Sequence, residues 1–342
     1  MIDRAAIRSA LAVILAFALA VGADPVVRAA EPLRAYVADA SGTSVSGMSS
    51  GGFMAVQFQV AFSNDVIGAG IVAGGPYYCS EGKIELALAR CTGTWAGPPD
   101  PARLVAFARE AAVKDEIDPL ENLARQRVLV FGGMFDTIVT PPVVAALAAF
   151  YREAGVPPER LAIRADLPAG HGFATQDFGS TCAATIPPFV NACGFDLAGA
   201  ILQHIYGSLQ PPAQAPAGRL VEFDQSEFLP DARAHGLDDT GLVYVPGPCE
   251  QDARRCRLHI VFHGCLQGRE RVGDLFATRT GYNHWADSNG LIVLYPQAVA
   301  TPRNPDGCWD WFGYDDPAFH VRSGRQMAAV KAMLDRIVAP GR

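Results

Sequence analysis

The stretch TSVSGMSSGGFMAVQF, residues 43–58, decides the fold. Residues 43–47 read as a short strand, and residues 51–62 carry apolar side chains at helical spacing. Between them Gly47-Met48-Ser49-Ser50-Gly51 matches G-x-S-x-G at the point where a strand hands over to a helix. Such a turn is strained, and flanking glycines remove the Cβ atoms that would crowd the helix. It lifts the Ser49 hydroxyl clear of the backbone and aims the N–H of Ser50, at the helix N-terminus, into the same space. The plainer alternative is a glycine-rich helix start with serine as its N-cap. For a nucleophile the stretch comes early in the chain.

A serine hydroxyl is a weak nucleophile and needs a base, which in turn needs an orienting carboxylate. In α/β-hydrolases both follow the serine, on loops after later strands. The apolar strand at 66–75 stops at Pro76, and helical patterns cover 101–113 and 141–155. Strand RVLVFGG (127–133) runs into MFDTIVTPP, which puts Asp136 just past a strand end. Strand RLAIRADL (160–167) runs into PAGHGFAT and does the same for His171. Asp166 is a weaker alternative acid, and Asp115 and Asp118 lie in a charged segment that reads as solvated surface. His204 falls within a predicted helix (195–207) and His235 in polar loop sequence, so His171 alone combines a strand end, flanking glycines and the right order.

The second oxyanion donor of such a site comes from the loop after an early strand. Here HIVFHGC supplies His263-Gly264-Cys265 after an apolar strand, but downstream of the histidine. The strand inventory resolves the conflict. From Arg219 onward come two strands, the HGC strand, the strand at 290–297 and a C-terminal helix (324–338); from Thr43 come the serine, acid and histidine strands. Joined end to end, the two halves give the ordinary order. The sequence therefore predicts a circularly permuted α/β-hydrolase fold, a mostly parallel sheet with helices on both faces. GSLQPPAQAPAG (207–218) becomes the surface connection that closes the original ends, within a single catalytic domain spanning 31–342.

The N-terminus reads as a secretory leader over residues 1–30. Arg4 and Arg8 precede an apolar run at 11–21, and small-residue cleavage contexts follow. That run is short for a bilayer span, so no stable membrane insertion is expected once the leader is removed. Secretion makes disulfides the natural use of the eight cysteines. Spacing couples Cys79 with Cys91, Cys182 with Cys193 and Cys249 with Cys256, leaving Cys265 and Cys308. No cysteine spacing suits a zinc knuckle, and no metal is expected. A net charge of −7 without a basic stripe argues against a nucleic-acid partner. GAGIVA (68–73) is itself a strand rather than a phosphate-binding turn, and His259 and His263 share a strand, without the helical H-E-x-x-H layout. NPDGCWDWFGYDD (304–316) packs aromatics around Cys308. It is either a loop core or an apolar wall for an acyl chain, the second making Trp309 and Trp311 substrate contacts.

Together these residues resemble the single-domain poly(3-hydroxybutyrate) depolymerases of the circularly permuted α/β-hydrolase type. The similar parts are SVSGMSSGGFMA, AGGPYYC, FGGMFDTIV, AGHGF, FHGC and LYPQA…NPDGCWDWFGY, which span nearly the whole chain after the leader. The resemblance implies Ser49 as nucleophile, Asp136 as orienting acid, His171 as base and the N–H groups of Ser50 and Cys265 as oxyanion hole. Tyr77, in AGGPYYC, joins Trp309 and Trp311 as an expected substrate contact. The implied activity is cofactor-free hydrolysis of a polyester or oligoester of 3-hydroxyalkanoates by a secreted, monomeric enzyme. Two alternatives stand beside it, a feruloyl- or acetyl-type carbohydrate esterase and a non-catalytic polymer-binding protein.

Overall fold

Short apolar runs alternating with helices build one nine-stranded sheet. The computed structural model describes residues 30–252 and 256–339, so the leader lies outside the described residues except for Ala30. In chain order the strands are β1 (Glu31–Pro32), β2 (Asp39–Met48), β3 (Gly68–Val72), β4 (Arg127–Phe131) and β5 (Leu161–Arg164), then β6 (Phe173–Thr175), β7 (Ser180–Thr181) and β8 (Val190–Ala192), and last β9 (Arg219–Asp224), β10 (Thr240–Val245), β11 (Arg257–Phe262) and β12 (Leu291–Tyr295). The main sheet runs β1-β9-β10-β12-β11-β2-β3-β4-β5. Among the described residues, only β10 runs antiparallel to its neighbours in this sheet. Counted from β9 as the first strand, the order is 1-2-4-3-5-6-7-8 with the second strand reversed. That is the α/β-hydrolase sheet with its chain opened before the fifth strand, here β2.

The described residues from Glu31 onward form one compact unit. Residues 207–218 run along its surface, where Ala213 N–H donates to His284 O at 2.9 Å and Gln210 N–H to Asn289 Oδ1 at 2.8 Å. Both faces of the sheet are covered. Helices Ser50–Ala61, Pro101–Val113, Pro141–Glu153 and Arg325–Val338 bury Phe53, Leu104, Val143 and Val330 on one side. Helices Leu197–Tyr206 and Tyr282–Asn289 bury Ile201 and Trp285 on the other. Central strands buried on both faces read as continuous apolar runs, as in β3 and β12.

The helix after the serine is buried all round, and its two glutamines are buried with it. Gln57 Nε2 donates to Asp310 O and Phe319 O, and Gln59 accepts from Tyr151 OH at 2.6 Å. One local expectation changes. Asp118 is buried, not solvated, because it accepts from Arg322 Nη1 at 2.9 Å and from Asn64 N–H at 2.8 Å. The cysteine-bearing region after His171 folds into a small sheet, β6-β8-β7. Among the described residues no helix is long and apolar enough to cross a membrane.

Candidate active site

At the carboxyl end of β2 the backbone must reverse into a helix within a few residues, and the glycines pay for it. A Cβ on Gly47 would lie 2.1 Å from Gly51 O, and one on Gly51 would lie 2.3 Å from Phe262 O. Ser49 itself sits at φ 79°, ψ −114°, a conformation L-residues seldom adopt. Its N–H is held by Val72 O of β3 and its carbonyl by Phe53 N–H of the helix, each at 2.9 Å. The side chain is thereby aimed outward from a fixed point.

The loops after β4 and β5 meet it there. His171 Nε2 lies 2.9 Å from Ser49 Oγ, and His171 Nδ1 lies 2.8 Å from Asp136 Oδ2. Nδ1–H donates to the carboxylate, which leaves Nε2 to accept the serine hydroxyl. The other carboxylate oxygen of Asp136 accepts from the N–H groups of Ile138 and Val139, each at 2.9 Å, so the acid is fixed on both sides. His171 N–H donates to Thr185 Oγ1 at 2.9 Å. The two loops are also bonded to each other, through Met134 N–H to Leu167 O and Phe135 N–H to Ala169 O. All three side chains are largely withdrawn from solvent. Asp166, the weaker alternative acid, is instead exposed and pairs with Arg164 at 3.0 Å.

The loop after β11 closes the site from the far side. A Cβ on Gly264 would come within 3.1 Å of Ser49 Cβ, so this loop packs directly on the serine. Neither Ser50 N–H nor Cys265 N–H has a protein acceptor among the described residues. His263 is buried and locks the loop: its Nδ1–H donates to Gly264 O at 2.7 Å and its Nε2 accepts from Ala298 N–H at 3.0 Å. Burial pushes its pKa down to about 4, so it stays a neutral structural group. Gln267 accepts from Gly264 N–H at 2.8 Å and donates to Pro188 O and Phe189 O, each at 3.0 Å. It thus joins the Gly264 loop to the segment that follows His171. The disulfide Cys265–Cys308 ties the same loop to the aromatic loop, and Cys79–Cys91, Cys182–Cys193 and Cys249–Cys256 are the other bridges.

Ser49 and His171 open into a cleft of about 920 Å³. Its wall includes Trp311, stacked on Phe53 with ring centroids 4.0 Å apart. Trp309 does not reach the cleft. It is fully buried beneath the Gly264 loop, where Nε1–H donates to His263 O at 2.9 Å. Tyr77 is likewise not in the cleft wall. The chain turns inward after Gly75 and Pro76 and buries its ring beside Tyr78 and His320, behind a separate pocket. The sequence reading missed the rim, where Ile84, Leu88 and Trp95 project 45%, 50% and 74% exposed, with Ile138 opposite. The signal was present as apolar residues between Cys79 and Cys91 and beyond, without helical or strand period. Nothing in the spacing singled out Gln267.

No protein-family model matches the chain. It is 44% identical over 315 residues to "Poly(3-hydroxybutyrate) depolymerase" of Delftia acidovorans, a match covering 91% of this chain but only 62% of that longer protein. It is 34% identical to "Polyhydroxybutyrate depolymerase" of Talaromyces funiculosus, over 95% of this chain and 97% of that one. Among solved structures it is similar to a PHB depolymerase from Penicillium funiculosum, with a TM-score of 0.84 at 34% identity. A serine-to-alanine PHB depolymerase complexed with R3HB trimer gives the same TM-score at 33% identity. Each structural match covers 91% of this chain and all of the other. With one relative at 34% identity covered almost end to end, the chain belongs to the poly(3-hydroxybutyrate) depolymerase family.

Proposed function

We propose that this protein is an exported serine esterase that hydrolyses poly(3-hydroxybutyrate)-type polyesters or their oligomers. The observation that carries this reading is the continuous Ser49–His171–Asp136 hydrogen-bond chain beside two unengaged N–H groups, at the floor of an apolar cleft. His171 Nε2 takes the proton as Ser49 Oγ attacks the ester carbonyl, and Asp136 steadies the resulting imidazolium. The N–H groups of Ser50 and Cys265 stabilise the tetrahedral oxyanion. The hydroxyl end of the cleaved chain leaves with the proton from His171. Water then repeats the sequence on the acyl-enzyme and frees the acid. This chemistry uses the chain's own residues and no cofactor.

An aliphatic, uncharged repeat suits the apolar walls, and the projecting rim suits a substrate presented as a water-insoluble surface. The two named relatives and the trimer complex support the substrate class. Four disulfides support export. The test compares clearing of a poly(3-hydroxybutyrate) emulsion with turnover of a feruloyl ester. Clearing with release of hydroxybutyrate, and feruloyl turnover at least about a hundredfold weaker, is expected, since discrimination by pocket fit is worth roughly that much. Feruloyl turnover without clearing would sink the polyester reading.

A further inference from the structure

The polyester repeat is uncharged, yet every free chain ends in one ionised carboxylate, and each hydrolysis makes another. The cleft holds one side chain suited to it. Apart from His171, the charged residues lining the cleft are Arg303 and Asp306. Arg303 is exposed, and among the described residues its guanidinium has neither a hydrogen-bond nor an ion-pair partner, whereas Arg103, Arg233, Arg269 and Arg322 each hold a carboxylate. No ion pair joins it to Asp306, three residues on.

Arg303 also stands on a fixed base. Thr301 and Asn304 exchange backbone hydrogen bonds at 3.0 Å. The buried Asn304 side chain bonds both the N–H and the carbonyl of Cys308, at 3.0 and 2.7 Å. Cys308 is bridged to Cys265, and Leu266 N–H donates to Asp306 O at 2.7 Å. The hairpin carrying Arg303 is therefore built onto the loop that carries the Cys265 N–H. A guanidinium offers a planar fork matched to a carboxylate. In a chain of net charge −7, which repels anions at long range, a lone cation on the cleft wall offsets that penalty locally.

We propose that Arg303 binds the ionised acid end of hydroxyalkanoate oligomers and favours free-acid oligomers over capped ones. This rests on the esterase reading above. The test measures kcat/KM for the 3-hydroxybutyrate trimer as free acid and as methyl ester, with wild type, Arg303→Gln and Arg303→Lys, at low and high salt. In wild type the acid-to-ester ratio should fall as salt rises. Arg303→Gln should lower the ratio at low salt by about threefold to tenfold, as for a solvent-accessible charge-assisted pair, mainly through KM. Arg303→Lys should restore part of it. A substitution that merely disturbs the loop lowers both substrates alike, so an unchanged ratio in Arg303→Gln overturns the assignment. Wild type that clears the polymer emulsion but cleaves neither trimer overturns this proposal alone, whereas wild type that does neither refutes the esterase reading as well.

Discussion

The nucleophile role proposed for Ser49 rests on neighbours that leave its side chain no other place to be. Its positive φ, the contacts that forbid a Cβ on Gly47 and Gly51, and the packing of Gly264 against its Cβ all fix one hydroxyl position. On the proposed reading, the reactivity of that hydroxyl depends on His171, whose Nε2 lies 2.9 Å away. A fluorophosphonate should label wild type at Ser49 alone, and His171→Ala should slow labelling by about a thousandfold or more while leaving the fold intact. Mass spectrometry of the labelled peptide checks this; fast labelling of the His171 variant would contradict His171 as the base, and no labelling of wild type would restore the non-catalytic polymer-binding alternative. Gly47→Ala should cost at least about 2 kcal/mol or prevent soluble expression, because the added carbon meets backbone rather than a movable side chain. Urea unfolding measures it.

At the scale of elements, the site is three loops held at the carboxyl ends of parallel strands. The Gly264 loop depends on a disulfide, a buried histidine and Gln267 rather than on regular structure. Replacing Cys265 and Cys308 together by serine should lower kcat more than tenfold and stability by about 2–4 kcal/mol. Removing Cys249–Cys256, which closes a short loop beside the other end of β11, should spare kcat. Equal loss of activity in both variants would contradict this division. The serine turn, Asp136 and His171 were legible in the sequence because each sits where an apolar strand ends, and strand ends follow from local pattern. Trp309 misled because aromatic content does not tell which way a loop turns, and it went under the Gly264 loop; Tyr77, expected from the resemblance, went behind the cleft wall. The rim around Leu88 and Trp95 was illegible because its residues owe their exposure to tertiary placement.

For the whole molecule, the permutation was readable because strand order survives as element order even when the ends move, and β9 to β12 supply what β2 to β5 lack. The small β6-β8-β7 sheet was not, since strands of two or three residues leave no period. Two buried histidines and one half-buried should set a global pH response. His259, bonded to Ser44 and Ser46 beneath the serine turn, is pushed down to about 3, and His263 and His320 to about 4, all by burial. The unfolded chain binds these protons below about pH 6.5 while the native state refuses them, so stability falls as pH drops from 6.5 toward 4. Asp310, raised to about 6 by burial, takes up a proton in the native state first and opposes this in part. The net should be a loss on the order of 1–3 kcal/mol per pH unit. Thermal unfolding between pH 7 and 4.5 should show a falling Tm; a flat or rising Tm would contradict the buried neutral assignment. The most direct test of the central claim is the rate of 3-hydroxybutyrate release from amorphous polymer granules by wild type and Ser49→Ala. Wild type should release it and the folded variant should be slower by about a thousandfold or more; no release by wild type, or near-equal rates, would contradict the account.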